Sequence, residues 1–109
     1  MEPEIRDRIQ KYAEDGRIRL KTHAFIRSVE RRIKINEIEE ALLNSTIIAS
    51  YPDDTPLKSY LLLGYTLNER PLHIVTAIDD TDHYIWIITV YEPDRNKWNR
   101  SLTKKREEQ

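Results

Sequence analysis

At Ser45 the apolar pattern of this 109-residue chain changes period, and that change restricts the fold more than any other feature. Before it, apolar residues recur at helical spacing. After it, they fill short segments rich in β-branched side chains. Helices followed by strands bury their apolar surfaces by stacking as layers, so the expected class is α+β, with N-terminal helices packed on a mainly antiparallel sheet of about four to five strands.

In the first half, Glu2 and Pro3 open a helix carrying Ile5, Ile9, Tyr12 and Ala13, and Gly16 ends it. Arg17 to Lys21 alternates charge with Ile18 and Leu20, as a short edge strand would. Thr22 is expected to cap a second helix that buries Ile26, Val29 and Ile33. Asn36 with Glu39 resembles a capping box for a third, which buries Ile38, Ala41 and Leu42 and ends near Asn44.

In the second half, Thr46 to Tyr51, Ser59 to Thr66, Leu72 to Ile78 and Tyr84 to Tyr91 read as strands. The turns between them are short, so neighbours run antiparallel. Runs such as Ile85-Trp86-Ile87-Ile88 are apolar on both faces, and helices are expected to cover one face fully. Beyond Pro93 only Trp98 and Leu102 are apolar, which suggests a short C-terminal helix, with Lys104 to Gln109 frayed. The length suits a single domain over residues 1–109, with a basic tail over 99–109.

Several chemistries are excluded or disfavoured. The absence of Cys removes disulfides, thiolate metal ligands and a Cys nucleophile. Gly16 and Gly64 alone cannot form a phosphate-cradling glycine loop. Asp53 and Asp54, with Asp79, Asp80 and Asp82, match turn formers better than metal ligands, so no metal or other cofactor is expected. Met1 to Gly16 lacks the apolar core of a signal peptide, and no apolar run approaches the roughly 20 residues that span a bilayer. A cytoplasmic location without membrane contact is the expectation.

The net charge of −1 hides an uneven distribution. Arg17, Arg19, Lys21, Arg27, Arg31, Arg32 and Lys34 stand against Glu30 alone, seven cations against one anion, a local excess of +6. His23, Arg27 and Arg31 recur every four residues and would share one side of the second helix. His23 would fall in its first turn, where backbone N–H groups favour an anion and neighbouring cations disfavour imidazolium. Such a histidine suits proton transfer beside a phosphate. In the plainer alternative His23 only caps the turn, while the arginines face solvent or pair with the Glu37 to Glu40 segment. His73 falls on the strand side shared with Val75 and Ala77, and Tyr91 on the side of Ile85, Ile87 and Thr89; either could donate a proton or be structural. His83 has no evident partner.

Thr22-His23-Ala24-Phe25-Ile26-Arg27 with Glu30-Arg31 and Ile33 resembles the opening signature of an uncharacterised prokaryotic family, domain of unknown function number 4258. Tyr51-Pro52-Asp53-Asp54, Leu62-Leu63-Gly64, Arg70 to Val75, Ile87 to Tyr91, Pro93-Asp94 and Trp98 follow in that family's order, so the likeness spans about residues 20–98. Arg32 departs from it, standing where the family often has Gly. That family is similar to the RelE/ParE superfamily of toxins, several of which cleave messenger RNA without a metal and are held inactive by a cognate antitoxin protein. The resemblance implies a toxin-type endoribonuclease acting on RNA, free or on the ribosome, or a non-catalytic RNA- or protein-binding module of that fold. In the first case His23 serves as base or acid, Arg27 and Arg31 clamp the phosphate, His73 or Tyr91 is the second proton-transfer group, and Lys21, Arg32 and Lys34 hold RNA.

Overall fold

The computed structural model describes residues 3–106. The elements run α1 (Pro3–Glu14), β1 (Ile18–Leu20), α2 (Thr22–Glu30), α3 (Ile35–Leu43), β2 (Thr46–Tyr51), β3 (Ser59–Tyr65), β4 (Pro71–Asp79) and β5 (Tyr84–Tyr91). The expected opening at Glu2 and the fraying of residues 107–109 lie outside the described residues. The expected α+β class holds: three helices accompany one five-stranded sheet of order β1-β5-β4-β3-β2. β2 to β5 are joined antiparallel in sequence, as their short turns require. β1 lies at the edge, as its charge pattern suggests, and pairs parallel with β5, Ile18 opposite Ile85 and Leu20 opposite Ile87.

One face of the sheet holds the main core. Leu62, Leu72, Ile74, Ile78, Ile85, Ile87 and Val90 pack there with Ile9 and Ala13 of α1 and with Ile38, Ala41 and Leu42 of α3. α3 approaches β3 so closely that a Cβ on Gly64 would overlap the carbonyl oxygen of Ala41. The other face is covered along Leu61, Leu63 and Val75 by Trp98 and Leu102. Those two residues dock as expected, but on turns closed by a Trp98–Lys105 bridge rather than on a C-terminal helix. Asn99 explains the difference. Its Oδ1 accepts the Thr103 N–H at 3.0 Å, and its own N–H reaches the Lys104 carbonyl at 2.8 Å, so local bonds replace those of a helix. Arg106 N–H donates to Lys97 O at 2.8 Å, which ties down residues expected to fray.

The helix starts also differ from expectation. Lys21 rather than Thr22 is the N-cap of α2, and Lys34 rather than Asn36 that of α3. The left-handed Arg32 (φ 56°) turns the chain so that α3 begins directly after the buried Ile33, and Glu37 Oε1 accepts the Lys34 N–H at 2.9 Å. Within α2 the buried residues are Ala24 and Ser28, whereas Ile26 and Val29 face solvent. α2 packs against β5, and small side chains permit the close approach.

Candidate functional site

β1 covers the outer edge of β5 at residues 85–87, and α2 takes over from there. Lys21 N–H donates to Ile87 O at 3.0 Å, and Arg31 Nη1–H donates to Val90 O at 2.7 Å, which pins both ends of this segment to β5. α2 packs against β5 between these two bonds, and His23 and Arg27 belong to the stretch they bracket. The Arg19 guanidinium lies 3.7 Å from the Tyr84 ring centroid, and Lys21 Nζ lies 4.3 Å from that of Trp86. His23, Arg27 and Arg31 continue the line at helical spacing. His23 falls in the first turn of α2, as expected, and is exposed. Arg27 makes only a 3.5 Å surface pair with Glu30, worth little in water.

Tyr91 joins His73, contrary to its expected side. Strict alternation would place it with Ile85 and Ile87, but the β4–β5 register slips where Val75 faces Thr89 and Thr76 faces Ile87. Ile88 is the extra residue. This bulge keeps Val90 in the core with Ile87 and turns Tyr91 to the other face. There its hydroxyl lies 3.2 Å from His73 Nδ1. His73 is 0% exposed, stacked edge-on against Trp98 at 4.3 Å, and its Nε2 lies 2.7 Å from Leu102 O. A carbonyl only accepts, so Nε2 carries the hydrogen and Nδ1 accepts from Tyr91. Burial lowers the His73 pKa, partly opposed by the Leu102 bond. Burial likewise raises that of Tyr91, with Tyr51 adding to the rise and the Arg31 charge opposing it.

The structure therefore brings Arg31, Tyr91 and His73 together. It does not bring His23 to them: eight residues along α2 amount to about 12 Å of helix axis. Lys21 is at the β5 edge, while Arg32 and Lys34 sit in the α2–α3 turn, beyond the line. The Glu37 to Glu40 segment pairs with neither Arg27 nor Arg31 among the described residues. His83 has a neighbour after all, the Tyr12 hydroxyl at 3.4 Å.

Arg70 was missed by the sequence reading as a site residue. Its guanidinium donates to the carbonyls of Arg32 at 2.9 Å and Arg31 at 3.2 Å, and pairs with Glu92 at 3.1 Å and Glu37 at 3.3 Å. It thus fixes the end of α2 from which Arg31 projects. In the sequence Arg70 stood out only as the first residue of the family-like run Arg70 to Val75, and its contacts to residues 31 and 32 depend on tertiary structure alone.

A cleft of about 830 Å³ lined by Lys21, Trp86 and Ile88 carries Asp53, Asp54, Asp79 and Asp82. No group of three or more His, Asp or Glu among the described residues is placed to hold a metal ion. No helix among them is long and apolar enough to cross a membrane.

A family model described as "Domain of unknown function (DUF4258)" matches residues 20–92. No curated protein and no solved structure matches the chain.

Proposed function

The chain belongs to the DUF4258 family, and from that premise we propose that it is an RNA-directed toxin of the RelE/ParE-like kind, a metal-independent endoribonuclease restrained by a cognate antitoxin protein. The observation that carries this reading is the line of cations along β5, which ends with Arg31 beside the Tyr91–His73 pair. RNA backbone follows such a line through phosphate contacts that are sequence-independent and salt-sensitive.

In this reading a phosphate rests against Arg27 and Arg31, whose charge offsets that of the pentacoordinate intermediate. The 2′-oxygen attacks the adjacent phosphorus and loses its proton to solvent. The bond to the 5′-oxygen breaks, and the Tyr91 hydroxyl turns from His73 Nδ1 to protonate that leaving group, the phenolate then regaining its proton from solvent. A phenol whose pKa is raised by burial stays protonated at neutral pH and remains available as an acid. His73 orients the Tyr91 hydroxyl. His23 and Lys21 hold the backbone further along the line.

The test is cleavage of end-labelled RNA by the purified chain in EDTA, with and without ribosomes. The expected products carry a 2′,3′-cyclic phosphate, and Arg31→Ala and Tyr91→Phe lower the rate by about 100-fold or more. No cleavage in either setting, together with no growth arrest on expression, overturns the reading. A gene for a small partner protein beside this one is a second expected observation.

The complete burial of His73 favours one other reading, a non-catalytic RNA-binding module. RNA would then bind with steep salt dependence and no turnover, and Tyr91→Phe would leave affinity unchanged while Arg27→Ala and Arg31→Ala would lower it.

A further inference from the structure

α2 presents its large apolar side chains to solvent. Ala24 and Ser28 face the protein, while Phe25 is 49% exposed, Ile26 46% and Val29 61%. Ile35, at the start of α3, is 49% exposed. Phe25, Val29 and Ile35 line a groove of about 580 Å³ together with the buried Ile33. Isolated exposed hydrophobes are ordinary on protein surfaces, but a contiguous set lining a concavity marks a binding surface.

The groove has a charged rim, made by Arg32 and Lys34. Neither is paired with a carboxylate of the described residues. Arg32 is also conformationally unusual. It closes α2 with φ 56°, its N–H bonded to Val29 O at 3.1 Å and that of Ile33 to Ser28 O at 2.8 Å. Glycine fits this left-handed closing position without strain. Arginine there keeps a cation on the rim in spite of its backbone.

We propose that this groove docks an amphipathic helix of a partner protein, with its apolar ridge between Phe25, Val29 and Ile35 and its acidic residues against Arg32 and Lys34. A second copy of this chain is a poor fit. Its helices α1 and α3 already bury Ile9, Ala13, Ile38, Ala41 and Leu42, and apposing two α2 grooves would bring their cationic rims together. The RNA-directed reading is not required. Two residues along a helix is about half a turn, so Phe25 and Val29 point away from His23 and Arg27.

The experiment titrates the full chain into a fluorescein-labelled synthetic amphipathic helix with a leucine ridge flanked by glutamates, and into a twin with lysines at those positions. The expected result is saturable binding of the acidic peptide and at least about tenfold weaker binding of its twin. Arg32→Gly and Lys34→Ala are each expected to weaken binding several-fold. Arg32→Gly also relieves the left-handed backbone, so its melting temperature should hold or rise, and lost binding cannot then be blamed on unfolding. Equal binding of the twins overturns the proposal, as does no saturable binding. So does a wild-type dimer that Val29→Glu converts to a monomer, or adsorption to phosphatidylserine vesicles that Val29→Glu abolishes.

Discussion

The imidazole of His73 donates its Nε2 hydrogen to the carbonyl of Leu102, 2.7 Å away, so a buried strand residue holds the C-terminal segment against the sheet. That bond fixes the tautomer, and the tautomer in turn makes Nδ1 the acceptor for Tyr91.

The first prediction concerns pH. Burial lowers the His73 pKa from its ordinary 6.5, so between the lowered value and 6.5 the unfolded chain binds more protons than the folded one. The stability contributed by neutral His73 is therefore present above 6.5 and declines as pH falls through that window. Melting temperature measured from pH 8 to pH 5 should drop more steeply for the wild type than for His73→Gln, whose amide cannot titrate. Parallel curves would refute the assignment.

Tyr91→Phe leaves Nδ1 of a fully buried ring without its donor. We expect a loss of about 1–3 kcal/mol in urea unfolding, the usual cost of an unsatisfied buried polar group. His73→Gln combined with Tyr91→Phe should lose less than the sum of the single changes, because the two residues share one bond. An additive double mutant would show that the pair does not interact in solution.

Arg70→Ala should loosen the turn between α2 and α3. Its donors to Arg31 O and Arg32 O and its ion pair with Glu37 would vanish together, and we expect about 1–3 kcal/mol of destabilisation. Hydrogen exchange should speed up over residues 31–38 more than over β3. Arg70→Lys should recover only part of the loss, since an ammonium group lacks the planar fork that reaches several acceptors. Uniform acceleration across the chain would argue against a local clamp.

Gly64→Ala places a methyl group where the Ala41 carbonyl stands. α3 must move off β3, and we expect destabilisation of about 3 kcal/mol or more, as for severe overpacking. A variant with wild-type stability would mean that α3 does not approach so closely.

The layer order, the edge position of β1 and the buried side of α3 were legible because each rests on local pattern. Ile38, Ala41 and Leu42 are spaced for one helix face, and that face is the one buried. α2 defeated the same logic. Its apolar residues Ile26 and Val29 suggested a buried stripe, but the contact with β5 is made by the small Ala24 and Ser28. Periodicity reports where an apolar stripe is, and cannot say whether that stripe or a row of small residues meets the body.

The site was legible in pieces. Spacing put His23, Arg27 and Arg31 on one side of α2 and alternation gave the side of His73, but the distance of His23 from the Tyr91–His73 pair follows only from the fold. The meeting of Tyr91 with His73 was not foreseeable, because one extra residue at Ile88 inverts every assignment beyond it. The C-terminal turns were hidden for a related reason: Asn99 redirects backbone bonds that composition alone would assign to a helix.

The parallel contact of β1 with β5 joins the earliest strand of the chain to the latest. During synthesis β1 must wait, its apolar side chains Ile18 and Leu20 unshielded by a strand partner, until residues 84–91 leave the ribosome. The segment that seals His73 emerges later still. Assembly of this sheet therefore waits on contacts of long sequence separation, and a stalled chain lacking β5 would expose an open edge of β4 together with the Ala24 and Ser28 side of α2.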